Sequence, residues 1–502
     1  WPAHRWPPAA TMARLNDQRL VTVSIMLATV MQVLDTTIAN VALPHMQGSL
    51  SASTDQITWV LTSYIVAAAI MTPTVGFMAS RLGRRRLFLW SVAGFTVTSG
   101  LCGLSASLDQ MVLFRILQGV FGAALVPLSQ SVLLDAYPVE KHGQAMAIWG
   151  MGVMVGPILG PTLGGWLTEW YSWRWVFYIN LPFGLLAFAG IWLSVSETET
   201  RKVRFDIMGF AYLGLAIGAF QLMLDRGEQV QWFESFEIQL EAVLALLGLY
   251  LFVVHSLTRK DPFIDPALFK DRNFVTGLVF IFVVGIILLA TMALLPPFLQ
   301  QWKDYPAVTT GLVLAPRGLG SMFSMMLVGR LMRTRLDPRV LVITGLLFIT
   351  FSLHEMAGFT LEVSRNTLIW TGVLQGLGLG LVFVPASALT YATLNPSLRT
   401  EGASLFSLSR NLGSSVGISI MTAMLSRNLW INQQQLGEHL QLAPWLSQGL
   451  PMKEMVGSVP AAVYQTLLSQ AAEISYMNDF RLLMWINMAA IPLVFLLRHQ
   501  RR

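Results

Sequence analysis

The stretch GMGVMVGPILGPTLGGWL, residues 150–167, has no charged side chain, and glycine or proline occupies eight of its eighteen positions. Its apolar residues lack the alternation that a membrane β-strand shows, and a helix in lipid satisfies its own backbone hydrogen bonds. Small residues about four apart let two helices approach closely. The stretch therefore predicts a membrane-spanning helix in tight contact with another helix. The residues that carry this interpretation are Gly150, Gly152, Gly156, Pro157, Gly160, Pro161, Gly164 and Gly165.

Similar apolar stretches recur along the whole chain. Hydrophobic residues make up 54% of the 502 residues and charged residues 12%, where a soluble domain has about 25% charged residues. We count fourteen segments long enough to cross about 30 Å of hydrocarbon as helices. Their approximate ranges are 20–43, 57–79, 87–107, 111–134, 143–168, 175–195, 207–224, 238–257, 274–298, 309–329, 340–359, 367–393, 402–426 and 479–497. The predicted fold class is all-α, a polytopic helical membrane protein.

The distribution of basic residues predicts the orientation. Most of the 33 Lys and Arg residues fall in segments that are cytoplasmic if the N-terminus is inside, and positive charge in short loops stays on that side. Both termini are therefore predicted to be cytoplasmic. The net charge of +6 follows from this asymmetry and gives no reason to expect nucleic-acid binding.

Two local features add to this picture. The single cysteine, Cys102, lies in the third predicted span, so no disulfide can form within the chain. Residues 1–11 lack the apolar core and cleavage site of a signal peptide, and Met12 starts a natural-looking N-terminus. We expect these eleven residues not to be native.

Internal similarity predicts two related halves. The stretch 116–134 resembles 373–394, which also begins with a branched residue before Leu-Gln-Gly, and 76–87 resembles 329–341. Both pairs are about 255 residues apart, so the first six spans match the last six and two spans are left over. The predicted layout is 6+2+6. Its divisions are a cytoplasmic segment 1–19, a bundle 20–195, linkers with two extra helices 196–273, a bundle 274–498 and a cytoplasmic tail 499–502.

A long hydrophilic segment, residues 427–478, separates the last two spans and is predicted to face outside. It contains apolar pieces such as AAVYQTLLSQAAEI at helical spacing. We interpret these pieces as short amphipathic helices on the membrane surface or on a partner.

Asp35 lies in VMQVLDTTIANVALP, residues 30–44, with no Lys or Arg within ten positions. It is the only carboxylate that we place well inside a span, because Asp135, Asp225 and Glu355 fall at span ends where water is expected. A buried acid that meets an arginine can change its protonation as its surroundings open and close. Asp35 is therefore the candidate proton site. The alternative is an aspartate that stabilises a kink by bonding a neighbouring hydroxyl or amide.

Three arginines lie well inside predicted spans, and a charged residue at a helix centre costs about 2.5–3.5 kcal/mol on insertion scales. Arg115 precedes Gln118 and Gly119, and it is expected either to pair or to face a cavity, unless it reaches the membrane surface. Arg317 and Arg410 lie in the second half. They are expected to bind anionic substrate groups or backbone carbonyls.

The stretch GFMASRLGRRRL, residues 76–87, ends the second span with four arginines. Gly76, Arg81, Gly83 and Arg84 are its candidate conformational residues. A plain positive-inside anchor would explain the charges alone. The related stretch 329–341 favours a conformational latch shared by both halves.

These motifs, on spans two, four and five, resemble the signatures of the major facilitator superfamily. With fourteen spans, WRWVFYINLPFG at 173–184 and FQLMLDRGEQVQWFES at 220–235, the chain resembles the fourteen-helix drug/proton antiporters. Within them it is most similar to EmrB-like subunits of tripartite multidrug efflux pumps. One departure is Ser80, which stands where the superfamily pattern has an acid, so a latch through that carboxylate is not expected.

The resemblance implies that spans one and four meet at a central cavity, which would bring Arg115 to Asp35 for proton coupling. The candidates for the substrate cavity are Gln32, Thr36, Asn40, Gln118, Arg317, Gln375, Arg410 and Asn411. The conformational candidates on spans four and five are Gly119, Gly156, Pro157, Gly160 and Pro161. The resemblance also implies a bacterial inner membrane, contact with membrane lipid, a periplasmic adaptor and an outer-membrane channel.

The predicted function is proton-driven export of amphipathic or hydrophobic small molecules, with the proton gradient as the energy source and no cofactor. There is no phosphate-binding loop for ATP, no zinc-protease motif and no histidine cluster. The alternatives are an exporter of fatty acids or siderophores that acts alone, a nutrient importer, and, least favoured, a membrane-embedded enzyme.

Overall fold

The computed structural model describes residues 9–198, 200, 204–259, 262–333, 336–438 and 461–497. Within these ranges all regular structure is helical. We number the α-helices in chain order: α1 (Ala9–Ser49), α2 (Thr54–Ile57), α3 (Trp59–Met71), α4 (Thr74–Leu82), α5 (Arg84–Leu104), α6 (Leu108–Gly122), α7 (Leu125–Ala136), α8 (His142–Trp170), α9 (Trp175–Tyr178), α10 (Asn180–Ser194), α11 (Ile207–Arg226), α12 (Phe236–Thr258), α13 (Ala267–Lys270), α14 (Arg272–Pro297), α15 (Ala307–Leu331), α16 (Pro338–Met356), α17 (Arg365–Ala392), α18 (Arg399–Glu438) and α19 (Ala461–Ala490).

Some predictions fall on other parts of the chain. Residues 1–8 of the segment expected to be non-native, the predicted tail 499–502 and the tip of the predicted outer loop, 439–460, lie outside the described residues.

Each predicted span coincides with a helix or with a broken helix. Among the described residues, twelve helices are long and apolar enough to cross a membrane, or thirteen if α3 and α4, bent by 60° at Thr72 and Pro73, form one span. Proline breaks a helix because it lacks a backbone N–H and clashes with the preceding turn. The thirteenth predicted span lies in α18, which is not among those helices because serine, asparagine and arginine make it more polar.

The helices form two groups, and α11 and α12 lie between them in the chain. In the first group α1 packs against α8 and α10, and α3 packs against α6. In the second group α14 packs against α18, and α17 packs against α15 and α16. The groups meet where α8 contacts α15 and α17, and where α18 contacts α4 and α7. We call the side predicted to be cytoplasmic the inner side and the opposite side the outer side.

The segment 427–478 differs from its prediction. α18 has 40 residues, about 60 Å, which is about twice the hydrocarbon thickness. Its residues 427–438 and the α19 residues 461–478 thus continue two spans outward, joined by hydrogen bonds from Asn432 to Ser475 (3.0 Å) and from Gln433 to Tyr464 (3.2 Å). For these described parts, the prediction of short helices that lie on the membrane surface is wrong, because both segments continue long membrane-spanning helices. We call them the outer hairpin.

Candidate functional site

Asp35 is enclosed in the first bundle, with 1% of its surface exposed. Three side chains from two other helices donate hydrogen bonds to its carboxylate. Arg115 Nη1 lies 2.6 Å from Oδ2, and Gln118 Nε2 and Asn180 Nδ2 each lie 2.8 Å from Oδ1. An ionised carboxylate accepts such a set of donors without needing one of its own.

Arg115 is fully buried, and its guanidinium has several partners besides Asp35. Its Nε donates to the Val60 carbonyl at 2.9 Å, and its Nη1 donates to Gln118 Oε1 at 2.8 Å. The guanidinium carbon lies 4.3 Å from the centre of the Tyr64 ring. A buried ion pair repays its desolvation only with such additional bonds, and removing one partner typically costs about 3–5 kcal/mol. The four helices α1, α3, α6 and α10 are therefore held together at one titratable group.

The other predicted residues of the first bundle lie around this cluster but do not join it directly. Gln32 Nε2 donates to the Tyr64 hydroxyl at 3.1 Å, one partner away from Arg115. Thr36 donates to the Val33 carbonyl of its own helix, and Asn40 is exposed. The alternative role for Asp35, bonding to Thr36, Thr37 or Asn40, has no support among the hydrogen bonds of the described residues, since Thr37 donates to backbone carbonyls instead.

Of the predicted residues of the second bundle, Arg317 and Gln375 bond to the same turn of α14, whereas Arg410 and Asn411 lie on α18. Arg317, 5% exposed, donates to the Leu288 carbonyl at 3.2 Å. Gln375 is fully buried, and its Nε2 donates to Thr291 at 3.3 Å while its Oε1 has no hydrogen-bond partner. Arg410 lies with its guanidinium carbon 5.8 Å from the ring centre of Trp149, on α8 of the other bundle. Asn411 is exposed.

Glycine keeps α8 close to α1. A Cβ on Gly156 would lie 2.7 Å from the Val33 carbonyl oxygen, and one on Gly160 would lie 2.2 Å from the Thr37 hydroxyl. Thr37 also donates to the Gly156 carbonyl at 3.1 Å. Pro157 and Pro161 lie within α8, which continues as one helix through both. Between α6 and α3, a Cβ on Gly119 would lie 2.5 Å from the Tyr64 carbonyl oxygen.

On the inner side, the end of α4 contacts the start of α18 in the other bundle. A Cβ on Gly76 would lie 2.8 Å from the Cα of Glu401, so only glycine fits. Glu401 Oε1 also accepts a hydrogen bond from the Asp265 backbone N–H at 2.7 Å. Ser80, which replaces the acid of the superfamily pattern, bonds only the Gly76 carbonyl among the hydrogen bonds of the described residues.

A three-residue ion cluster lies beside this contact. The two carboxylate oxygens of Asp135, at the end of α7, pair with Arg84 and with Arg399 of the second bundle, the latter at 2.8 Å. Gly83 has a φ of +85°, and a side chain there would collide with Glu197, so the turn before Arg84 requires glycine. Arg81 is exposed. Asp135 and Arg399 were not among the predicted site residues.

Sequence reasoning missed one direct partner of Asp35 and misjudged one acid. Asn180 is the only amide in the predicted span 175–195, a signal that was available in WRWVFYINLPFG. Asp225 was expected to be accessible to water at a span end, but its Oδ2 is enclosed. Asp479 is a further buried acid, 1% exposed, on α19. Both acids lie near predicted span ends. Their burial depends on neighbouring helices, whose positions cannot be read from the linear sequence.

Comparison with known proteins gives consistent results. The sequence profile of the Major Facilitator Superfamily matches residues 25–418. The fatty acid resistance protein FarB of Neisseria gonorrhoeae is 39% identical over 422 residues, which is 84% of this chain and 83% of the relative. The multidrug export protein EmrB of Escherichia coli K12 is 38% identical over 427 residues, 84% of this chain and 82% of the relative. The solved structure of the proton:xylose symporter XylE has a similar fold, with a TM-score of 0.61, 13% identity and 95% and 97% of the two chains covered.

Proposed function

Because the chain belongs to the Major Facilitator Superfamily, we propose that it is a proton-driven exporter of amphipathic or hydrophobic small molecules. It is a multi-pass membrane transporter and not an enzyme. Its relatives include proteins named for multidrug export and for fatty acid resistance. The observation that carries the proton-driven mechanism is the enclosed pair of Asp35 and Arg115 in the first bundle.

Protonation of Asp35 removes the charge that holds Arg115. The guanidinium then keeps the Val60 carbonyl, Gln118 and the Tyr64 ring as partners, so release from Asp35 does not leave it without contacts. Since Asp35 links α1 to α6 and α10, its protonation state biases how these helices pack.

An anionic amphipath is a second candidate substrate class beside neutral and cationic drugs. Arg317 and Arg410 have no acidic ion-pair partner among the described residues, whereas Arg115 is neutralised by Asp35. Two unneutralised cations in the interior attract a carboxylate or a similar group. The relative FarB is named a fatty acid resistance protein, and fatty acids belong to this class.

The assembly that we propose includes an adaptor outside the inner membrane of a bacterium with two membranes. The outer hairpin supports it, because α18 and α19 extend well beyond the hydrocarbon core. Exposed apolar side chains on the hairpin, Trp430 at 60%, Val463 at 36% and Ile474 at 38%, are available for a partner. The partner then carries substrate on to an outer-membrane channel.

Transport by the purified full chain in proteoliposomes tests the proposal. Vesicles with an acidic interior are expected to accumulate ethidium, a cationic amphipath, or oleate, an anionic one, and dissipating the pH gradient should abolish the accumulation. Asp35→Asn should lose this coupling, whereas Asp109→Asn, an exposed acid in the first turn of α6, should retain it.

Folding of the variants must be separated from coupling. Asp35→Asn leaves Arg115 without its counter-ion, so the double variant Asp35→Asn/Arg115→Gln, which removes both charges, serves as the folding control. Equal gradient-driven accumulation by Asp35→Asn and by the unsubstituted chain would refute the assigned role.

A further inference from the structure

The outer end of α11, an apolar helix that ends at Arg226, carries two further polar residues, Gln221 and Asp225, one turn apart. Gln221 is 1% exposed, and its Nε2 donates to Asp225 Oδ1 at 2.9 Å and to the Ser415 hydroxyl of α18 at 2.8 Å. The Ser419 hydroxyl of α18 donates to the Leu224 carbonyl. The inserted helix is therefore hydrogen-bonded to the second bundle at this end.

The opposite side of α11 packs against α3 of the first bundle. A Cβ on Gly214 would lie 3.3 Å from Ile70, and one on Gly218 would lie 2.9 Å from it, so the two helices approach closely. Nearer the outer side, Thr62 of α3 faces the carboxyl group of Asp225. Asp225 thus lies where the insertion meets both bundles.

The two carboxylate oxygens of Asp225 differ in their hydrogen bonding. Oδ2 is enclosed and accepts no hydrogen bond of normal geometry, although the neutral Thr62 side chain faces the carboxyl group, while Oδ1 has Gln221. Burying a charge without a partner is costly, whereas a bound proton neutralises the group.

The charged groups around Asp225 do not supply a cation to that oxygen. The ion pair of the neighbouring Arg226 is with Glu237 of α12, and its guanidinium also lies over the Trp59 ring of α3. Glu241 of α12 is a further acid on this side. The residues that face Asp225 from α3 and contact its turn from α18, Thr62, Ser415 and Ser419, are uncharged.

The helix α3 connects this carboxyl group with the Asp35 cluster. Val60 accepts the hydrogen bond from Arg115 Nε, and the Tyr64 ring lies against the same guanidinium. Thr62 lies between Val60 and Tyr64 in sequence. Because each residue of a helix is rotated by about 100° from the one before it, Thr62 points away from the side of α3 on which Val60 and Tyr64 lie. One thirteen-residue helix therefore contacts Arg115 on one side and Asp225 on the other.

We propose that Asp225 is a second proton-binding site, coupled to Asp35 through α3 and filled or emptied as the two bundles move. Because α11 packs along α3 but is bonded to α18 at one end, movement of the second bundle makes or breaks the bonds to Ser415 and Ser419. Those bonds enclose Asp225. This inference rests on the proposed proton-driven export and raises the number of protons exchanged per substrate by one.

The number of protons moved per substrate, measured in proteoliposomes with ethidium or oleate, whichever the unsubstituted chain transports, tests the proposal. Asp225→Asn is expected to transport with one proton fewer per substrate, which is about half if the chain exchanges two. Glu241→Gln, an acid on the neighbouring helix with one enclosed oxygen, is the matched control and should leave the ratio unchanged.

The outcomes separate the two proposals. If the unsubstituted chain moves no protons with either probe, the proposed function fails; if it does and Asp225→Asn has the same ratio, only this inference is overturned. Should Asp225→Asn not fold, Thr62→Val and Ser415→Ala, which change only the surroundings of the carboxyl group, replace it. The pH at which these variants transport at half their maximal rate is expected to differ from that of the unsubstituted chain by about half a unit or more. Identical pH profiles would overturn the proposal.

Discussion

At the scale of single residues, Asn180 and Arg115 hold the same carboxylate in different ways. Arg115 contributes charge, whereas Asn180 contributes a neutral hydrogen bond to Asp35 Oδ1 and a second one to the Ser99 hydroxyl at 3.0 Å. Protonation of Asp35 weakens the bond to a cation more than the bond to an amide. Asn180 therefore keeps α10 beside α1 in both protonation states.

Replacing Asn180 with leucine is expected to lower gradient-driven transport about tenfold, which corresponds to about 1.4 kcal/mol. Asp35 Oδ1 would keep Gln118 as its only donor. Transport rates in proteoliposomes measure the loss. Ser99→Ala removes the other bond of Asn180 and should have a much smaller effect; equal losses in both variants would contradict the role assigned to Asn180.

A second residue-scale prediction concerns the contact of α8 with α1. Gly160→Ala would place a methyl group 2.2 Å from the Thr37 hydroxyl, whereas a methyl group on Gly165 of the same helix has nothing within 4 Å. We expect Gly160→Ala to lower stability by about 1–3 kcal/mol and to lose most transport. Thermal unfolding in detergent, with Gly165→Ala as the control, measures the difference. Equal stability of the two variants would mean that α1 and α8 separate at little cost.

The sequence indicated the close contact of α8 with another helix, because glycines four apart have few other uses in a membrane helix. It also indicated Asp35 and Arg115, since a charge inside an apolar span needs a partner. It could not predict the burial of Asp225, because that depends on α18, almost two hundred residues further along. The partners of a residue at a span end are decided by packing between helices, and hydropathy does not contain that information.

At the scale of elements, the inner contact joins three parts of the chain through one acid. Glu401 lies in the first turn of α18, packs on Gly76 of α4 and accepts a hydrogen bond from the backbone N–H of the linker residue Asp265. Burial raises the pKa of Glu401 to about 7 from an ordinary value of 4.5, although the bond from Asp265 opposes the shift. Glu401 thus places an acid, from the opposite bundle, close to the position where Ser80 departs from the superfamily pattern.

The inner contact should weaken as the pH rises. A carboxyl group whose pKa is higher in the closed contact binds its proton more tightly there than when the bundles separate. Closure is then most favourable below about pH 4.5, becomes less favourable up to about pH 7, and changes no further above it.

Alkylation of a cysteine at Met332 measures the contact, because Met332 packs on Gly143 of the other bundle. In a Cys102→Ser background, Met332→Cys should react faster at pH 7 than at pH 5, after correction for the thiolate fraction of the unfolded chain. Glu401→Gln should remove this difference. A pH dependence that survives in Glu401→Gln would assign the effect to another group.

At the scale of the whole molecule, the ion pair that joins the bundles among the described residues, Asp135 with Arg399, lies on the inner side, and the outer hairpin extends from the second bundle alone. The internal repeat predicts two bundles and an inserted pair of helices. It could not predict the hairpin, because the first bundle has no equivalent segment from which its structure could be inferred. Apolar periodicity in 461–478 correctly indicated a helix there but not that this helix continues a span.

Removal of an exposed tryptophan from the hairpin should affect resistance in cells but not transport by the isolated chain. Trp430 is 60% exposed, and Trp485, 57% exposed on α19 nearer the membrane centre, offers the same substitution on a surface that lipid covers. If an adaptor covers the hairpin, Trp430→Ala weakens that interface, where buried aromatic side chains contribute most of the binding energy. We therefore expect Trp430→Ala to lower resistance of intact bacteria several-fold with normal proteoliposome transport, and Trp485→Ala to change neither. A cysteine at Gln465 should cross-link to a second protein in the same cells. Unchanged resistance with Trp430→Ala, together with no cross-link at Gln465, would mean that the chain exports substrate alone.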